Sequence, residues 1–115
     1  NAPLAMWRRE ASAEDIAYAT EYLGLSEKEG FNWGILRGGL GSVADLFVAQ
    51  MQDYLDLGTG HRMNTPGIPE GNWQWRMVEG EASAELAAKI RRMCENYDRC
   101  EKQPAVMEEE QTEAE

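Results

Sequence analysis

The stretch from His61 to Met77, HRMNTPGIPEGNWQWRM, limits what this chain can fold into more than any other. It crowds Pro66, Gly67, Pro69 and Gly71 among two tryptophans, two arginines and two asparagines. Proline lacks the N–H that a helix interior needs, and glycine loses too much entropy there, so this stretch is not helical. Thr65-Pro66-Gly67 predicts a tight turn, with proline presetting φ and glycine supplying a positive φ. The expectation is a rigid irregular loop that carries polar and aromatic side chains. Loops of this kind, held by a scaffold, are where binding residues collect. A plainer reading of the same residues is a connection whose two tryptophans pack onto neighbouring helices.

The length of 115 residues allows one domain at most, with a modest core. A net charge of −10 argues against nucleic acid and against an anionic membrane surface as partners. No apolar run approaches the roughly 20 residues needed to span a bilayer, and no signal-peptide pattern opens the sequence. Cys94 and Cys100 are close together and late, which suits free thiols in a cytoplasmic protein better than a useful disulfide. His61 is the single histidine, so no Cys/His set has metal-ligand spacing. No metal or cofactor is expected. Asn1-Ala2 fits the scar of a cleaved expression tag.

The rest of the chain reads as helices. Ser12 before Glu14 and Asp15 marks a helix start, Ile16, Ala19, Tyr22 and Leu23 give its apolar face, and Gly24 ends it. Ser26 to Gly30 is a polar turn. Asn32 is placed to cap a second helix through Ile35, Leu36 and Leu40. Gly34, Gly38, Gly39 and Gly41 make that helix poor by propensity, so it needs close-packed neighbours. A phosphate loop at Arg37 to Gly41 is disfavoured by the missing Lys-Ser/Thr and by the lack of a preceding strand. Leu46-Phe47-Val48-Ala49 is a short apolar run whose composition leans to strand. Tyr54 to Leu57 reads as a helical turn that stops at Gly58. Ser83 caps a third helix striped by Leu86, Ile90, Met93 and Tyr97 and widened by Ala87 and Cys94, with Lys89 off the stripe. Arg99 suits the negative end of that helix. Residues 99–115 read as an acidic, disordered tail, following a unit at 3–98 and the possible scar at 1–2.

Arg62-Met63-Asn64-Thr65-Pro66-Gly67 and Gly71-Asn72-Trp73-Gln74-Trp75-Arg76 closely resemble the C-terminal signature of the 4-α-glucanotransferases, the amylomaltase or disproportionating-enzyme family. Asn32-Trp33-Gly34, Ser42-Val43-Ala44, Gln52-Asp53 and Leu57-Gly58 fit the same pattern. The resemblance runs from about Trp7 to about Arg92 and covers only the end of such an enzyme. It implies the last α/β unit and C-terminal helix of a (β/α)8 barrel, with Leu46–Ala49 as the eighth strand. It also implies retaining transfer of α-1,4-glucan segments between maltodextrins, in which two carboxylates sit about 5 Å apart. The resemblance places the catalytic carboxylates, and the His-Asp pair of a His-Asp-Asn motif, before this chain, so no catalytic residue is expected here; Asn1 reads either as the last member of that motif or as part of the tag scar.

On that reading this segment supplies part of a sugar site. Asparagine can donate and accept at once, which suits paired hydroxyls, so Asn64 is the first candidate for a glucose contact. Arg62 and Thr65 follow. Of Trp73 and Trp75, at most one is expected to face a ligand, and Trp73 is the one assigned. Asp53 reads as a loop-fixing acceptor and Arg76 as an ion-pair partner. His61 reads as exposed and without a catalytic part. The partners implied are a starch-type α-1,4-glucan and the rest of the barrel. The second reading is a free-standing acidic helical module that binds carbohydrate or another protein. Without barrel neighbours the chain is expected to be mostly α, with Leu46–Met51 turning helical, and to self-associate.

Overall fold

The computed structural model describes residues 2–101. Asn1 and the stretch 102–115, which holds most of the acidic tail, lie outside the described residues. Among the described residues five helices follow in order: α1 Leu4–Glu10, α2 Ala13–Leu23, α3 Phe31–Leu40, α4 Met51–Tyr54 and α5 Ala84–Asn96. The described residues contain no strand. The expected mostly α unit is therefore what forms.

Two caps form as the residues dictate. The Ser12 hydroxyl accepts from the Asp15 N–H, and Ser83 does the same for Leu86. Gly24 closes α2 in the left-handed conformation at φ 64°. Tyr22 departs from its assigned face. It lies six residues past Ile16, a rotation of about 240° at the pitch of an α-helix. Tyr22 is therefore exposed, and its ring stacks on the equally exposed Tyr18 at 6.1 Å.

The middle helix, α3, packs against α2, α4 and α5. Asn32, Leu36 and Leu40 recur every fourth residue and are buried. The glycines admit their neighbours. A Cβ on Gly38 would meet Leu23 Cδ2 at 2.7 Å, and one on Gly39 would sit 2.2 Å from the Phe47 ring. Gly30, not Asn32, precedes α3. Asn32 lies inside the helix and turns inward, its Nδ2 donating to the Asp53 carbonyl (3.0 Å). Buried inside the helix, its amide finds a partner on α4 rather than on its own backbone. Lys89 of α5 stands over the Trp33 ring at 3.8 Å. Arg37 grips the Glu29 carboxylate through Nε at 2.8 Å and also donates to the Leu23 carbonyl, tying the turn before α3 to its middle.

Arg99 reaches further than its own helix. Its guanidinium donates to the carbonyls of Leu40, Ser42 and Asp45, so it closes the end of α3 and the segment beyond it. That helix end had unsatisfied carbonyls to offer, and a planar guanidinium can serve several at once.

Helix α1 was not foreseen, because Pro3 at its start has no side-chain acceptor. The acceptor comes from α4. The Leu4 N–H donates to Asp53 Oδ1 at 2.7 Å.

Leu46–Met51 does not become helix. Residues 46–50 are irregular, and only Met51 enters α4. Exposure alternates instead: Leu46 and Val48 are exposed at 78% and 79%, while Phe47 and Ala49 are half-buried. The alternation follows from Phe47 seating its ring over Gly39, which a regular helix at 46–50 was not needed to achieve. Buried apolar side chains are few, Met6, Leu36 and Leu40 among them, while Val43, Leu46 and Val48 stand in solvent.

Two expectations follow. Exposed apolar surface of this kind drives association. Size-exclusion chromatography with light scattering at micromolar concentration should show a dimer or larger species; a monomer with no concentration dependence would mean the chain closes its own core. The second concerns Asp53. Burial raises its carboxyl above the ordinary aspartate value, opposed by the Leu4 N–H. A raised value in the folded state means the ionised form costs stability, fully above that value, and the cost is relieved as pH falls through it. Asp53→Asn keeps the acceptor and loses the charge, so it should match or exceed the wild type at neutral pH, with the gap closing in acid. Asp53→Ala loses the cap and should cost about 1–2 kcal/mol. Urea denaturation of the three proteins at neutral and acid pH measures both.

Candidate functional site

The loop expected from the Pro/Gly stretch runs from His61 to Met77 and contains neither helix nor strand. Its base is set by α4. Gln52 is buried, and its Nε2 donates to the His61 carbonyl at 3.0 Å. Asp53, beside it, faces the other way, to Leu4. The adjacent pair thus fixes the loop on one side and α1 on the other.

The tight turn forms at Thr65–Ile68. The Ile68 N–H donates to the Thr65 carbonyl, and Gly67 takes φ 81°. Proline in the second place and a positive φ in the third is the type II pattern. Asn72 then stitches the two limbs of the loop. Its Oδ1 accepts from the Thr65 N–H at 2.9 Å, and its Nδ2 donates to the Ile68 carbonyl at 2.7 Å. The Trp73 N–H donates to the Met63 carbonyl. Arg62 Nε donates to the Asn64 carbonyl at 3.2 Å.

These bonds bring the candidate residues to one place. Arg62, Asn64 and Thr65 lie half-buried on one limb, and Trp73 is joined to that limb through Met63 and Asn72. Asn64 spends its carbonyl on Arg62. Its side-chain amide has no hydrogen bond among the described residues. Trp73 stands 71% exposed on a left-handed backbone, φ 62°. That conformation is uncommon for a residue with a Cβ and is held by the loop around it. Trp75 is half-buried. The two tryptophans therefore differ in exposure, although residues two apart in an extended run share a face; the left-handed backbone at Trp73 breaks that register.

Two residues depart from expectation. His61 is half-buried, and its Nδ1 accepts from Trp75 Nε1 at 2.9 Å, with the rings meeting edge-on. Its backbone carbonyl is already held by Gln52, so the ring is drawn inward. Arg76 is exposed and makes no ion pair among the described residues. It lines an open groove with Met51, Met63, Trp75 and Met77, about 560 Å³ in volume. Asn72 and His61 were missed as loop-holding residues. The Asn72 turn-bond to Ile68, four residues back, was within reach of sequence reasoning; the His61 bond, across fourteen residues, was not.

No group of three or more His, Cys, Asp or Glu among the described residues could hold a metal ion. Cys94 and Cys100 are free thiols. No helix among the described residues is long and apolar enough to cross a membrane.

What the fold and loop define is a helical unit that presents a stitched Asn/Trp loop beside an open apolar groove. Residues 1–81 match the family model described as 4-alpha-glucanotransferase. The chain is 44% identical over 90 residues to the 4-alpha-glucanotransferase of Clostridium butyricum, covering 78% of this chain and 18% of that protein. It is 41% identical over 98 residues to the enzyme of Thermus thermophilus, covering 81% and 20%. Among solved structures, the amylomaltase from Streptococcus agalactiae in complex with acarbose superposes with a TM-score of 0.82 at 30% identity, over 88% of this chain and 20% of that one. The chain belongs to the 4-α-glucanotransferase family and spans about a fifth of the length of these relatives.

Replacing Asn72 by Ala removes both stitches. The Thr65 N–H should then exchange with solvent several-fold faster, as expected for losing about 1 kcal/mol of hydrogen bonding. Hydrogen exchange followed by NMR reads this directly, and the α3 amides serve as the unchanged control.

Proposed function

We propose that this chain acts as the C-terminal part of a 4-α-glucanotransferase, corresponding to the last α/β unit and C-terminal helix of its barrel. The whole enzyme transfers α-1,4-glucan segments between maltodextrins by a retaining mechanism, in the cytoplasm. The chain's own contribution is one wall of the sugar site. Asn64 offers an amide to a hydroxyl pair, Thr65 and Arg62 offer further polar groups, and the exposed Trp73 ring offers a face to the C–H side of a sugar.

The observation that carries this reading is the side-chain amide of Asn64, which has no hydrogen bond among the described residues and lies on a loop that Asn72 stitches to the limb bearing the exposed Trp73. A hydroxyl-rich neutral ligand suits such a surface, since an amide both donates and accepts and no charge must be neutralised. Membership of the family supplies the reaction class. The retaining reaction needs two carboxylates about 5 Å apart. Asp53 is not one of them on this reading, because it is buried and engaged by Leu4. The catalytic pair is assigned to the remainder of the barrel, and the chain alone should be inactive.

Two measurements test this. Purified chain incubated with maltotriose should release no glucose and build no longer chains above a buffer blank. Turnover that Asp53→Asn abolishes would show the catalytic groups to be misplaced. In a full-length enzyme carrying this segment, Asn64→Ala should lower kcat/KM several-fold with the fold intact. That is the minimum for losing a hydrogen bond to an uncharged hydroxyl, about 0.5–1.5 kcal/mol. Wild-type kinetics in that variant would remove Asn64 from the site.

A further inference from the structure

His61 and Trp75 sit at the two ends of the loop. The indole Nε1–H has only one role, that of donor, and it points at His61 Nδ1 from 2.9 Å. Nδ1 must therefore keep its lone pair, which leaves the ring neutral with its proton on Nε2. The backbone carbonyl of the same residue is held by Gln52 of α4. One residue thus joins the far limb of the loop to the buried base. When the ring gains a second proton both nitrogens become donors, and Nδ1 and the indole then present N–H to N–H.

We infer that His61 is a positioning residue for the sugar loop, a latch that holds the Trp75 limb while neutral and releases it on protonation. Its consequence for sugar binding rests on the function proposed above; the latch itself does not. The charged groups on the surrounding elements do not compete for the ring. Arg62 turns its Nε to the Asn64 carbonyl, and Arg76 is exposed. Asp53 of α4 faces Leu4, and Asp56 beyond it is exposed. Past the end of α4, the side chain that α1 sets against Gly58 is the uncharged Ala5. Among the described residues His61 makes no ion pair.

The test uses the intact chain labelled with 15N. Its single histidine makes the ring signals unambiguous, and Trp75→Phe assigns the indole N–H. The sample is titrated from about pH 8 to about pH 5, the interval over which a histidine changes charge. The Trp75 indole signal should move with the same midpoint as the His61 ring signals. His61→Asn places an amide oxygen near the position of Nδ1 without a titrating group. Its Trp75 indole should stay hydrogen-bonded and unmoved across the range. At about pH 5 the wild-type indole N–H should exchange roughly two- to tenfold faster than in H61N, the range for one neutral hydrogen bond. His61→Leu should lack the bond at every pH; if that variant does not fold, the wild-type titration and H61N decide. A Trp75 indole signal that ignores the His61 titration, or that titrates equally in H61N, overturns the latch. Because no sugar is present, neither result depends on whether the loop binds glucan.

Discussion

The structure depends on two adjacent buried polar side chains, Gln52 and Asp53, on a helix of only four residues. Asp53 accepts the first N–H of α1, its carbonyl accepts the Asn32 amide from within α3, and Gln52 holds the first carbonyl of the loop. Three parts of the chain far apart in sequence are thereby set relative to one point. A buried carboxylate is costly unless hydrogen-bonded, and here the bond to Leu4 opposes the upward push of burial on its pKa. The arrangement is specific because each group has one partner that fits, and losing one would leave a buried donor or acceptor unmatched.

Around that point the packing is thin. Few apolar side chains are fully buried, and polar clamps do much of the joining: Arg37 on Glu29 and Leu23, Arg99 on three carbonyls at the end of α3. The glycines of α3 are part of the same solution. They weaken the helix on its own but let Leu23 and Phe47 come close enough to cover it. The apolar stripe of α5 is only half covered, and Leu46 and Val48 face solvent. A unit this exposed fits a chain that matches about a fifth of its relatives' length.

The loop is rigid for a different reason. It has little apolar burial of its own; its stiffness comes from one proline-glycine turn and from side chains that bond to backbone across it. Asn72 spends its whole amide on Thr65 and Ile68, while the Asn64 amide has no partner among the described residues. Two identical residue types eight positions apart thus take opposite parts, one holding the loop and the other assigned by our proposal to the sugar. Residue type alone does not separate them. The partner within reach does.

The sequence by itself determined what is local. Ser12, Ser83 and Gly24 each act on groups within a few residues, so the ends of α2 and the start of α5 were legible, as was the Thr65-Pro66-Gly67 turn. The resemblance in the Arg62–Arg76 signature was enough to point to the family. Only the tertiary structure decided what crosses long separations. Helix α1 has no cap of its own and takes one from 49 residues away. His61 looked exposed until Trp75 met it, and Arg99 serves the end of α3 rather than its own helix. Leu46–Ala49 had no local preference strong enough to choose a form, so the seat of Phe47 over Gly39 chose it. Local geometry is set by backbone sterics over three or four residues. A hydrogen bond that spans half the chain exists only after the chain has folded.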